Sequence, residues 1–271
     1  MSQPVSAGDP LADHAFGSRF SVGVEEELLL VDPRTRALSH DAERVIAAVE
    51  QPARGQVDHE AYAAELELRS LPSAAAGEAV EALAAARDAA LAAGATLLGA
   101  GLHPDAELGD VRLVRSARYA RVEDDMRGLI LRTPECALHV HVGMPDADTA
   151  IRAFNGLRAW LPVLQGLAAN SPWWFGADSG MASARAAVVR AYPGRGVPPA
   201  FAGADEYTAT VAAAAAGGGP SDYTLLWWDL RPHPRRGTVE LREMDAQSRL
   251  DDVAAIAARV QALARATAAE G

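Results

Sequence analysis

The chain has 271 residues, a formal net charge of -11 and only one cysteine, Cys136. All 25 basic residues are arginine, which excludes a P-loop lysine, a kinase strand lysine and a Schiff-base amine. The acidic balance argues against non-specific nucleic-acid binding, and a lone cysteine excludes an internal disulfide and a cysteine-rich zinc site. Residues 1–17 read as a flexible polar tail with no signal peptide, and residues 18–271 have a length that suits one domain or two small ones. No stretch is long and apolar enough to span a bilayer, so the expected location is the cytoplasm, with no membrane partner.

In chain order, Phe20–Val31 is rich in Val and Leu, ends at Asp32-Pro33 and predicts a strand. Val57–Ser70 predicts a second strand, with alternation across Glu65–Leu68 and Pro72 closing it. Ala74–Ala93 carries Val80, Leu83 and Leu91 on roughly one face, which predicts a helix. Thr96–Leu102 reads as a short strand, Ser116–Leu131 as a helix, and Glu135–Met144 as an alternating strand. Asp148–Ala169 has helical spacing kinked at Pro162. Ala204–Ala216 predicts a helix stopped by Gly217–Pro220. Tyr223–Arg231 and Thr238–Met244 predict strands joined by a turn with Pro232, Pro234 and Gly237, and Asp251–Ala269 a last helix. The elements are mixed without a regular βαβ rhythm, and alternation favours antiparallel strands, so the class is α+β.

Period-two spacing places chemistry on strand faces. Glu25 and Glu27 share a face, with Glu26 on the other. Glu65 and Glu67 share one, with Glu60 upstream; so do His139 and His141, and so do Glu240 and Arg242. Three adjacent carboxylates in an apolar strand repel one another and call for a cation. Several carboxylates with one or two imidazoles suit Mg²⁺ or Mn²⁺ better than zinc. Without lysine, Arg185, Arg231, Arg235 and Arg242 are the cations left for phosphate. Asn170, Ser171 and Trp173 lie in a polar, aromatic loop of the kind that shapes substrate pockets. Cys136 reads as a buried filler. By themselves these residues point to a metal-dependent enzyme on a sheet, acting on phosphates or as a hydrolase using His139 and His141.

Four runs extend this reading: G-V-E-E-E-L-L-L-V-D-P at 23–33, H-V-H-V-G-M-P-D at 139–146, A-N-S-P-W-W-F-G-A-D-S-G at 169–180 and W-W-D-L-R-P-H-P-R-R-G-T-V-E-L-R at 227–242. In order and spacing they resemble the carboxylate–amine ligase family (YbdK-type), related to type 2 glutamate–cysteine ligase. The resemblance implies a glutamine synthetase-like fold, an antiparallel sheet curved into an open half-barrel with helices on its outer side. It implies ATP-dependent activation of a carboxylate, usually the γ-carboxylate of glutamate, as an acyl phosphate that an amine attacks.

The resemblance also implies site roles. Glu25, Glu27, Glu67, His139 and Glu240 match metal ligands for Mg²⁺ or Mn²⁺, with Glu60 a further candidate. His141, Arg235 and Arg242 match nucleotide contacts, Arg185 and Arg242 catalytic cations, and Asn170, Ser171, Trp173 and Arg231 substrate contacts. The chain departs from the family pattern at Glu60–Glu67 and at Met181 and Ala184, which leaves the amine open. Relatives continue well past the equivalent of Gly271 with a helical part, so closure of the site could involve a homodimer partner. A metal- and nucleotide-binding module with reduced catalysis is the alternative reading.

Overall fold

The computed structural model describes residues 16–216 and 226–269. The predicted 1–15 portion of the tail, the Gly217–Pro220 helix stop and the start of the Tyr223–Arg231 strand lie outside the described residues.

The scaffold is one antiparallel sheet backed by helices. The strands are β1 (Val22–Leu30), β2 (Val57–His59), β3 (Glu65–Arg69), β4 (Leu97–Leu98), β5 (Ala137–Gly143), β6 (Trp173–Trp174), β7 (Ala177–Asp178), β8 (Leu230–His233) and β9 (Thr238–Asp245). The main sheet runs β2-β3-β1-β5-β9-β8, with β4 also on β1; β2 and β8 do not meet, so the sheet is open. A separate two-stranded hairpin joins β6 and β7. The helices are α1 (Ala42–Ala48), α2 (Ala76–Ala92), α3 (Ala117–Met126), α4 (Ala147–Leu157), α5 (Leu161–Leu167), α6 (Ala184–Val189), α7 (Ala204–Ala216) and α8 (Leu250–Ala269).

Alternation assigns the two sheet faces. Val22, Val24, Leu28, Leu66, Leu68, Leu138, Val140, Val142, Val239 and Leu241 are buried within the main core. Helices α2, α4 and α8 lie on that side, α8 in contact with both others. Alanines permit this close layer: Ala79, Ala86, Ala153, Ala257 and Ala264 are all fully buried. Gly156 is required where α4 meets α8, since a Cβ there would stand 2.4 Å from the Thr267 Cβ.

Glu26 points to the helix side and is fully buried. The Arg87 guanidinium of α2 meets it in a bidentate pair, Nε–Oε1 2.6 Å and Nη2–Oε2 2.5 Å. Arg87 also donates to the carbonyls of Ser248 and Gln247 at 2.9 and 2.8 Å. This is the cation that the triple-glutamate strand requires, and it frees Glu25 and Glu27 for the opposite face.

Several elements differ from expectation. The single strand predicted over Val57–Ser70 is two antiparallel strands, with Asp58 opposite Glu67, because the chain reverses through Glu60–Ala64. The predicted kink at Pro162 is a break: α4 ends, a 3-10 turn follows, and Pro162 sits in the first turn of α5, where its missing N–H costs nothing. Pro232 belongs to β8 rather than to the turn, tolerated because β8 is an edge strand. The strand predicted over Thr96–Leu102 shrinks to the two residues of β4, and the helix over Ser116–Leu131 ends as α3 at Met126 with a 3-10 turn after it. Helices α1 and α6 and the β6–β7 hairpin had no sequence expectation. Among the described residues no helix is long and apolar enough to cross a membrane.

Candidate active site

Register builds the site on the face away from the helices. Glu27 of β1 stands opposite Glu67 of β3, and Glu25 opposite Arg69. On the other side Glu25 is opposite His139 of β5, and Gly23 opposite His141. His141 then faces Glu240 of β9, and Glu240 faces Arg231 of β8. Five neighbouring strands thus place carboxylates, imidazoles and guanidinium groups in one band. The register of β9 shifts between the partners of Leu138 and Val140, a bulge next to Arg242.

This band floors a cavity of about 640 Å³. Its lining includes Glu25, Glu27, Glu60, Glu67, His139, His141, Arg231, Arg235, Glu240 and Arg242, ten of the residues singled out from the sequence. Glu25, His141 and Glu240 offer ligand atoms all within 4.8 Å of one another, and all three are buried. His141 Nε2 lies 3.3 Å from Glu25 Oε2 and 3.8 Å from Glu240 Oε1. His139 bridges the β1 carboxylates instead, Nδ1 3.8 Å from Glu25 and Nε2 3.6 Å from Glu27. The histidine in the compact cluster is therefore His141, with His139 one step along the strand. Two carboxylates and an imidazole at this spacing are a donor set suited to a divalent cation.

Arginines balance part of the negative charge. Arg236 pairs with Glu25, and Arg242 with Glu240. Arg231 Nε lies 2.6 Å from Glu240 Oε2. Burial disfavours the Glu240 charge, but Arg231, Arg242 and His141 together hold its carboxyl well below the usual range. Glu25 is held low in the same way, with His141, His139 and Arg236 outweighing burial. The other carboxylates lack enough cations. Burial and repulsion from Glu25 and Glu60 push Glu67 up to about 8, although Arg69 Nη1 sits 3.0 Å from it. Burial, reinforced by Glu60 and Glu135, raises Glu27 well above the carboxylate range, while the Ala137 N–H donates to it at 2.5 Å. Burial, with help from Arg242, lowers His139 to about 3, so its ring is neutral and able to accept. A buried face with surplus carboxylate oxygen is one that an added cation would stabilise.

Four sequence-predicted residues do not line the cavity. Arg185 is buried, with Nε donating to Glu135 at 2.6 Å and Nη1 to the Glu243 carbonyl at 3.1 Å. Its donors hold β9 and Glu135 in place. Asn170 and Ser171 anchor Asp245, through the Asn170 N–H at 2.8 Å and the Ser171 hydroxyl at 2.7 Å. Trp173 is 48% exposed on the β6–β7 hairpin, where Trp174 stacks on Phe175 at 4.8 Å.

Other lining residues had no sequence expectation: Arg69, Arg236, Tyr62, Tyr119, Tyr192 and Arg195. Arg69 continues the Glu65–Glu67 alternation and was within reach of that pattern. Arg236 is aimed by a 3-10 turn that ends at Gly237, where φ is 62°. The tyrosines come from segments far apart in sequence, and no periodicity marks them.

The profile of Glutamate-cysteine ligase family 2 matches residues 21–271. The chain belongs to that family. A protein of Rubrobacter xylanophilus provisionally named glutamate–cysteine ligase 2-3 is 40% identical over 252 residues, covering 91% of this chain and 69% of that protein. A Natronomonas pharaonis protein named glutamate–cysteine ligase is 34% identical over 254 residues, 92% of this chain and 70% of that one. The chain thus spans about two thirds of the length of the curated relatives it matches. The crystal structure of a bifunctional glutathione synthetase from Pasteurella multocida superposes with a TM-score of 0.63 at 12% identity, covering 93% of this chain and 41% of that one. That likeness concerns the fold: α+β, with an open antiparallel sheet and helices on its outer face.

Proposed function

We propose that this member of the ligase family is an ATP-dependent carboxylate–amine ligase that activates the γ-carboxylate of glutamate, or a similar acid, and joins it to an amine. The observation that carries this reading is the compact Glu25–His141–Glu240 cluster on an open sheet face with arginine on both sides. A lysine-free chain is left with divalent cations, guanidinium groups and backbone amides to hold phosphate, and this face offers residues for the first two.

In this reading Glu25, His141 and Glu240 would hold a Mg²⁺ or Mn²⁺ ion, with Glu27, Glu67 and His139 lining the cavity beside it. Bound divalent cations supply neutralisation of the nucleotide phosphates and of the charge that develops on transfer. Arg236 is more accessible than Arg242, their side chains 44% and 16% exposed, and in this reading both meet phosphate oxygens. His141, Arg235 and Arg231 complete the nucleotide and carboxylate contacts. Arg185 acts at a distance by holding Glu135 and the β9 backbone. The carboxylate attacks the terminal phosphorus of ATP, ADP leaves, and the amine nitrogen displaces phosphate from the acyl carbon. The overall products are amide, ADP and phosphate.

The test is ADP release with Mg-ATP, glutamate and a panel of amines, with mass detection of the amide. Amine-dependent turnover is expected. Absence of turnover with every amine, together with nucleotide binding, would favour a binding module; amide or phosphoester hydrolysis without ATP would favour a hydrolase.

A further inference from the structure

The cavity has a second acidic group at its inner end, apart from the Glu25–His141–Glu240 cluster. Glu65 is fully buried on β3 and lines the cavity. Its Oε1 accepts from the Cys136 thiol at 2.8 Å, and its Oε2 has no hydrogen-bond partner among the described residues. Glu60 and Glu135 line the same space, and the three carboxylates repel one another. Glu135 is met by Arg185 at 2.6 Å. Among the described residues neither Glu60 nor Glu65 has an ion-pair partner; Arg118 and Arg242 attract Glu60 from beyond that range. A buried carboxylate oxygen with nothing to accept from is a vacancy for a donor.

The other wall is apolar. Tyr62, Val122, Met126, Ile130 and Tyr192 form a buried cluster separate from the main core, and all line the cavity, with Trp227 packed against them. A small cation is a poor occupant, since only Glu25, His141 and Glu240 among the described residues bring three ligand atoms within 4.8 Å. A larger cation with three N–H donors and an apolar body matches both walls.

We propose that this inner end is a subsite for a primary ammonium group carrying an apolar or aromatic body, held by Glu60, Glu65 and Glu135 against Tyr62, Met126 and Ile130. On the ligase reading, on which this role rests, that ligand is the acceptor amine. Acceptors with an apolar body are then preferred over cysteine.

Calorimetric titration of the protein with benzylamine, without nucleotide, reads the subsite independently of turnover. Saturable binding is expected, tighter than for ethanolamine. Glu65→Gln and Glu60→Gln should each weaken it roughly tenfold or more, the size of one charge-assisted hydrogen bond, and Glu65→Gln should keep Mg-ATP affinity. The proposal is overturned if benzylamine does not bind, or binds equally well to those variants that keep the native circular dichroism. It is also overturned if the substitutions weaken Mg-ATP and leave benzylamine untouched, which would make the apolar wall a base pocket. A failure of ADP release with every amine refutes the ligase reading and leaves the benzylamine result standing.

Discussion

Removing Arg87 isolates the role of the third strand glutamate. Glu26 is fully buried, and the Arg87 side chain is 13% exposed, so solvent screens this pair little. Arg87→Ala leaves a buried carboxylate without its bidentate partner and two carbonyls, of Gln247 and Ser248, without their donor. Breaking such a pair costs about 3–5 kcal/mol, and at roughly 2–4 °C per kcal/mol for a chain of this size the melting temperature should fall about 6–20 °C.

The pH dependence follows from the sign of the shift. Burial outweighs Arg87 and raises the Glu26 pKa above its ordinary 4.5. The folded state therefore binds this proton more tightly than the unfolded chain, and Glu26 favours folding below 4.5. That contribution is lost as pH rises from 4.5 through the raised folded value. Without Arg87 the folded value climbs further and the loss extends to higher pH. The deficit of the variant should therefore be larger at pH 8 than at pH 5. Urea unfolding at both pH values measures it, and the double replacement Glu26→Leu with Arg87→Leu should recover most of the stability. A deficit under about 1 kcal/mol, or one equal at pH 5 and pH 8, would refute the assignment of Arg87 as the compensating cation.

Two further outcomes test the site and the scaffold. Glu240→Gln removes the charge that Arg231 and Arg242 both face, so Mn²⁺ affinity measured by calorimetry and amine-dependent ADP release should each fall by about two orders of magnitude or more. Gly156→Ala places a methyl group against Thr267 at the α4–α8 contact and should cost about 1–3 kcal/mol in thermal or urea unfolding, with ADP release per folded molecule unchanged.

Much of this protein is legible along the chain because a strand face repeats every two residues. That period alone separates Glu26 from Glu25 and Glu27, and pairs His139 with His141 and Glu240 with Arg242. It also yields the long strands β1, β5 and β9, while the 3.6-residue helical repeat yields α2 and α8, the apolar positions of both being set by burial against one another. The absence of lysine narrows phosphate handling to metal ions, arginine and backbone amides. What alternation cannot convey is which strands are neighbours. The order β3-β1-β5-β9 and its register decide that Glu25, His141 and Glu240 converge, and that His139 sits between Glu25 and Glu27 instead. Only the tertiary structure shows that Arg185, Asn170 and Ser171 hold up Glu135, β9 and Asp245, because a buried guanidinium or amide is committed to whatever polar group packing brings beside it. The apolar wall around Tyr62 and Met126 is likewise invisible in sequence, since its members come from a turn, a helix and two connections that meet only when the sheet face is covered.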